Sequence, residues 1–267
     1  MTSAQNNTNR ALLATCVAAA ARAAEVIRAG AERRDTLRWE SKERGDFVSV
    51  VDRGAEQVIG DVVHERHPDA RMLAEELSSS IASRAGLVFV ADPLDGTTNF
   101  LHGFPWYAVS IAAMIDNALI AGVVLNVPTG ELFTATHGGG VRRNGQPIAV
   151  STISDPIRAL IGTGFPFKEG APFDEYLRML PRVMKATAGI RRPGAASLDL
   201  ADVACGRFEA FWEMKLAPWD IAAGLLLVRE AGGVATNFAG EPCPVDHTSV
   251  VAGNPAMHAW LIEAIRA

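Results

Sequence analysis

Ala91-Asp92-Pro93-Leu94-Asp95-Gly96-Thr97-Thr98-Asn99-Phe100 is the stretch whose reading decides the fold. Immediately before it runs Leu87-Val88-Phe89-Val90, an apolar, β-branched and aromatic run that reads as a buried strand. The two carboxylates therefore stand where a strand ends, which is where open α/β sheets place their ligands. Pro93 fixes one φ angle and removes an amide proton, while Gly96 permits a φ that other residues resist. A compact, oxygen-rich turn is expected between Asp92 and Thr97. Two carboxylates with the Leu94 carbonyl between them suit a hard divalent cation, for which magnesium is the natural candidate. The amides of Gly96 and Thr97 are placed to cradle an anion such as phosphate. Asp, Pro and Gly are also the commonest turn formers, so the same residues would make an ordinary surface turn.

Working outward, 267 residues are enough for a large core, and no linker divides them. The chain reads as a single domain, 1–267, with a first half to about residue 150 and a second half from there on. A composition 49% hydrophobic and 21% charged excludes disordered and fibrous classes. The net charge of -5 argues against binding to a nucleic-acid backbone, and the pairs Arg33-Arg34, Arg142-Arg143 and Arg191-Arg192 read as solvated faces. Cys16, Cys205 and Cys243 are odd in number and far apart, without a zinc or redox spacing, and fit a reducing cytoplasm. The Ala-rich segment 11–21 has the look of a signal peptide, but Arg22, Glu25 and Arg28 continue it as a helix. No apolar run is long enough to cross a membrane.

In chain order, residues 1–10 read as frayed and 11–30 as a helix stopped by glycine. Lys42-Glu43-Arg44-Gly45-Asp46 reads as a charged loop, and 47–52 leads into a second helix ending near His67-Pro68. Arg71-Met72-Leu73-Ala74 is a short strand delivering Glu75-Glu76. Residues 106–115 and 118–125 form a hairpin about Asp116-Asn117, 131–135 adds a strand, and Asn144-Gly145 marks a tight turn, giving a largely antiparallel sheet. His137-Gly138-Gly139-Gly140 tempts toward a phosphate loop but opens no helix, and reads as a bend between strands. Further on, 159–164, 189–192, 208–214, 234–237 and 249–252 read as strands. Residues 173–185, 197–205, 219–231 and 255–266 read as helices, Pro218 opening the third of these. Without further context Asp52 and Asp220 are first-turn acids complementing helix dipoles, Glu75 is a solvated loop acid, Gly194-Ala195-Ala196 a tight helix start, and Glu213 a strand-edge acid.

The string 92–100 resembles the signature of the inositol monophosphatase family of magnesium-dependent, lithium-sensitive phosphatases. Trp219-Asp220-Ile221-Ala222-Ala223-Gly224 is similar to a second family signature, W-D-x-A-A-G, and Glu75 stands where the family has a metal-binding glutamate. Asp46 to Asp52 resembles the element D-x-V-T-x-x-D, with Ser49 in place of threonine. The likeness extends to nearly the whole chain, and the wording at 164–168 and 197–200 looks bacterial.

It implies a layered α/β/α/β/α fold and two or three magnesium ions. One would take Glu75, Asp92 and the Leu94 carbonyl; a second would share Asp92 with Asp95 and Asp220; a third, weaker ion would sit near Glu75. It also implies a water oriented by Glu75 and by Thr97 with its partner Asp52, and a substrate held by Asp95, Gly96, Thr97, Gly194, Ala195, Ala196, Glu213 and Asp220, with the Glu213 carboxylate accepting from inositol hydroxyls. Arg191 would face either the pocket entrance or a partner in a homodimer. Hydrolysis of inositol monophosphate is the expected reaction. Histidinol phosphate, fructose bisphosphate and adenosine bisphosphates are substrates of related enzymes, and a transcription-related partner is the alternative of another kind.

Overall fold

Helices and sheets alternate through five layers in the computed structural model, which describes residues 3–43, 46–167 and 172–266. Helices α1 (Ser3–Ala31) and α2 (Val50–Arg66) form the first layer, preceded at α2 by a small hairpin of β1 (Trp39–Glu43) and β2 (Asp46–Ser49). Beneath them lies a seven-stranded sheet in the order β3-β4-β5-β6-β7-β8-β9. Its strands are β3 (Arg71–Ala74), β4 (Leu87–Asp95), β5 (Ala108–Ile115), β6 (Ala118–Asn126), β7 (Leu132–Thr136), β8 (Gly140–Arg143) and β9 (Gln146–Pro147). Only β3 and β4 run parallel; every other pairing is antiparallel.

The middle layer is α5 (Ala196–Ala204) and α6 (Pro218–Glu230). Below it a five-stranded mixed sheet runs β11-β10-β12-β14-β13, formed by β10 (Leu160–Thr163), β11 (Gly189–Arg191), β12 (Ala210–Leu216), β13 (Val234–Thr236) and β14 (Thr248–Gly253). The last layer is α4 (Phe173–Ala186) and α7 (Pro255–Arg266). The expected layered α/β/α/β/α architecture is the one observed.

Three cores match the layers. Leu12, Cys16, Ala19, Ala23 and Ile27 form an apolar stripe along α1 that packs with α2 on the outer face of the large sheet. In α6 the run Ile221 to Val228 is buried throughout, because that helix has a sheet on each side. Met179 and Val183 of α4 meet Leu261 and Ile265 of α7 over the small sheet.

Several expectations shift. Residues from Ser3 onward belong to α1, so the segment read as frayed extends the helix instead. Polar Asn9 is almost fully buried and donates through Nδ2 to His137 O, which anchors that first stretch. The supposed charged loop is largely strand: Trp39 pairs with Ser49 and Ser41 with Phe47, while Arg44 and Gly45 at its tip lie outside the described residues. The side chain of Asp46 and residues 168–171, Lys168 among them, lie outside them as well. The hairpin about Asp116-Asn117 is present, both residues having positive φ as a two-residue turn requires. Glu213 is not on a strand edge, since β12 lies between β10 and β14. No helix among the described residues is long and apolar enough to cross a membrane.

Candidate active site

Strand β4 does not stop at Asp92 as expected; it runs through to Asp95. Asp92 pairs with Ser110 of β5 and Asp95 with Ala108, so three steps on β4 oppose two on β5. That extra residue is a bulge. It also explains why the two acids meet. Side chains alternate across a regular strand, so residues three apart would face opposite sides; the added residue restores parity. The turn then falls at Gly96, whose φ of 90° is left-handed and serves as the N-cap of α3 (Thr97–Leu101).

A cleft of about 280 Å³ opens there, between the ends of the two sheets. Glu75, Asp92, Leu94, Asp95, Gly96, Thr97 and Asp220 line one side. Gly194, Ala196 and Glu213 line the other, together with Phe165, Phe167 and Arg192. Two sequence candidates are absent from the lining. Asp52 lies beneath Thr97, 1% exposed, and Ala195 is the buried N-cap of α5. Of the two neighbouring arginines it is Arg192, not Arg191, that lines the cleft.

The three aspartates are each oriented by the backbone of a different element. Leu94 N donates to Asp92 Oδ1 at 2.9 Å. Ser197 N and Oγ donate to Asp95 Oδ2 at 2.8 and 2.6 Å, so Asp95 caps the start of α5 from across the cleft. Ala217 N donates to Asp220 Oδ2 at 2.7 Å, within the first turn of α6. The dipole-complementing reading of Asp220 and its place in the cleft hold together.

Asp52 is a double case of the same kind. Ser49 N and Oγ donate to its Oδ2 at 2.9 and 2.6 Å, closing a capping box at the start of α2. Its other oxygen, Oδ1, lies 2.8 Å from Thr97 Oγ1, which is also 3.0 Å from Leu94 O; one hydroxyl proton serves both acceptors.

Burial and crowding raise the acids. Asp92 is pushed well above the usual carboxylate range, by burial first and then by Glu75, Asp95 and Asp220. Burial pushes Asp95 up to about 6, against the hydrogen bonds from Ser197. Asp52 is also raised by burial, its bonds from Ser49 and Thr97 opposing. Buried acids that repel one another over an oxygen-only donor set are the chemistry a hard divalent cation relieves, so these residues fit magnesium. Among the described residues no three carboxylate, imidazole or thiol side chains already stand together as a metal cage.

Sequence reasoning missed the supports. Glu56, buried on α2, accepts from Glu76 N at 2.6 Å and Leu77 N at 2.8 Å and so fixes the loop that carries Glu75. Asn99 sits inside the quoted signature without an assigned task; its Nδ2 donates to Trp106 O at 2.7 Å and Pro193 O at 2.9 Å, tying the two walls together. Ser197, one residue past the recognised Gly194-Ala195-Ala196, was the available signal for Asp95's partner. The glycine bend at 138–140 does hold an anion, though an internal one: Gly138 N and Gly140 N donate to the two carboxylate oxygens of Glu230 at 2.8 and 2.9 Å.

Residues 8–267 match the model of the inositol monophosphatase family. The chain belongs to that family. Among curated proteins, the chain is 41% identical over 255 residues to a putative Nus factor SuhB of Neisseria meningitidis serogroup B, covering 96% of this chain and 98% of the relative. It is 44% identical over 221 residues to an inositol-1-monophosphatase of Rhizobium meliloti, covering 83% of each. Among solved structures, the extragenic suppressor protein suhB of Bartonella henselae superposes with a TM-score of 0.91 at 39% identity, covering 96% of this chain and 98% of that one. Membership of the inositol monophosphatase family supports a phosphatase, and its relatives' names divide between inositol-1-monophosphatase and Nus factor SuhB.

Proposed function

We propose that this chain is a magnesium-dependent phosphomonoesterase that hydrolyses inositol monophosphate. The observation that carries the reading is the Thr97–Asp52 hydrogen bond on the floor of a cleft lined by Glu75, Asp92, Asp95 and Asp220. Those four acids and the Leu94 carbonyl would hold magnesium, two or three ions in all. When bound, magnesium supplies positive charge to the phosphate and acidifies a water at its side.

The chain's own part begins with Thr97. Its hydroxyl donates toward Asp52 and keeps lone pairs with which to accept from that water. Asp52, raised by burial, is a better proton acceptor than an exposed aspartate, so the pair can orient the water and draw off its proton; Glu75 faces the same space. The Gly96 and Thr97 amides at the start of α3 meet the phosphate, and the turn of Gly96 makes the approach close. Across the cleft the backbone at 194–196 and the Glu213 carboxylate accept the hydroxyls of a polyol, which favours an inositol ester over a plain one.

Magnesium-dependent phosphate release from inositol 1-phosphate, histidinol phosphate, fructose 1,6-bisphosphate and adenosine 3',5'-bisphosphate, compared by kcat/KM, tests this. The inositol ester should be preferred. Preference for histidinol phosphate would keep the mechanism and change the substrate, and no release from any ester would overturn the enzyme reading.

A second reading has the relatives' names in its favour: a Nus-factor-like role in which the fold contacts a transcription partner. Asp95→Asn separates the two, because it removes phosphatase activity and leaves a partner surface intact. A homodimer belongs to the proposal, with light scattering as its check, and so does a cytoplasmic location.

A further inference from the structure

Gly164 follows β10, and its backbone has no positive φ, so conformation gives no reason for glycine there. Space does. A Cβ built on Gly164 would lie 1.9 Å from both Cδ and Oε1 of Glu213 and 2.2 Å from Oε2. The carboxylate of Glu213 thus occupies the volume that a side chain at 164 would fill. This is a consequence of register: β10 and β12 are parallel, Thr163 pairs with Trp212, and the next step along each strand sets Gly164 beside Glu213.

The surroundings are rigid. Thr163 is fully buried, its Oγ1 is 3.1 Å from Tyr176 Oη, and the Tyr176 ring stacks on Trp212 with 13° between the planes. The strand ends therefore hold still, and the flexible end of Glu213 is the part that must yield to a larger residue at 164.

We propose that Gly164 is a specificity-determining position, its empty side-chain volume seating the Glu213 carboxylate where that group accepts the hydroxyls of a polyol leaving group. The inference rests on the reading of Glu213 as the hydroxyl acceptor. Gly164 touches neither substrate nor metal and acts through Glu213, as a positioning residue. A methyl group at 164 displaces the carboxylate and costs the enzyme its preference for polyol esters over esters whose leaving group carries no hydroxyl.

The test is a double-mutant cycle of Gly164→Ala and Glu213→Ala, assayed with inositol 1-phosphate and with 4-nitrophenyl phosphate. Gly164→Ala should lower kcat/KM for the inositol ester by about tenfold, the loss of one hydrogen bond to a charged group, mostly through KM. Turnover of 4-nitrophenyl phosphate should stay within about twofold of the parent, and in the Glu213→Ala background the alanine at 164 should have no further effect on either ester. Equal losses on both esters, or an undiminished effect without Glu213, would overturn the proposal. If Glu213→Ala leaves the preference for the inositol ester intact, the reading of Glu213 fails and takes this inference with it. If Glu213→Ala abolishes the preference and Gly164→Ala does not touch it, the inference alone fails. Melting temperatures give a readout that needs no turnover: the alanine should lower Tm in the parent and not in Glu213→Ala, and an equal drop in both would overturn the steric argument.

Discussion

The two walls of the cleft are built in opposite ways. On the side of β4 the two aspartates are deeply set: Asp92 is 2% exposed and Asp95 8%, and each is aimed by a backbone amide. On the side of β10, the lining residues Phe165 and Phe167 are 38% and 56% exposed, and the guanidinium of Arg192 lies over their rings at 5.3 and 4.9 Å. On the proposed reading, the contrast teaches that Asp92 and Asp95 are held from behind, whereas the aromatic rim at Phe165 and Phe167 is left on the surface, where a change of side chain should leave the chemistry in place.

The contrast can be broken in graded steps. The largest effect should come from Asp95→Asn, which keeps shape and removes charge: kcat/KM should fall by about a thousandfold or more while circular dichroism is unchanged. A fully active variant would remove Asp95 from the proposed metal set. Next comes the support behind it. Ser197→Ala deletes the 2.6 Å hydroxyl bond to Asp95, and a loss of about ten- to a hundredfold is expected in magnesium affinity or kcat. On the exposed wall, Phe167→Ala should change KM by no more than about fivefold and leave kcat alone, since surface aromatic contacts contribute roughly 1 kcal/mol. A collapse of kcat there would erase the distinction between the walls.

The smallest effect concerns a buried acid behind the cleft. Asp199 of α5 is 1% exposed, and among the described residues neither of its oxygens has a hydrogen-bond partner. Burial pushes it well above the usual carboxylate range, with Glu213, Asp95 and Asp202 adding to the effect and Arg192 opposing it. A raised folded-state pKa means that the folded chain binds a proton the unfolded chain has already released. Stability from this group is therefore full at low pH and fades as pH climbs through the folded value. Asp199→Asn removes that fade, so its Tm should exceed the parent's by about 2–4 °C per kcal/mol gained, and by more at pH 8 than at pH 5. An equal difference at both pH values would contradict the assignment.

Much of this was legible in the sequence because it is local. Strand alternation, Asn-Gly and Asp-Asn turns, and Pro218 at a helix start depend on neighbours in the chain. The acids at 92, 95 and 220 stood in strings long enough to recognise. What escaped was tertiary. Glu56 reaches a loop twenty residues on, Ser197 caps nothing of its own but steadies an acid 102 residues away, and Asn99 bridges to Pro193 across 94. The helix from Ser3 was missed because its start is polar, and the contact that anchors it, Asn9 to His137 O, is 128 residues away in the chain.

The bulge in β4 also governs which kinds of genetic change the strand can absorb. Substitutions there swap one side chain at a time. Losing a single codon between Asp92 and Asp95 would instead delete the added residue: the acids, then two apart, would keep one side of the strand, but the bend that the bulge puts between them would be lost. Strand 87–95 is buried from Val88 onward, so it should accept few replacements that change side-chain volume, and a deletion scan should find no silent codon from 92 to 95, because each loss straightens the bend that sets the acids relative to one another.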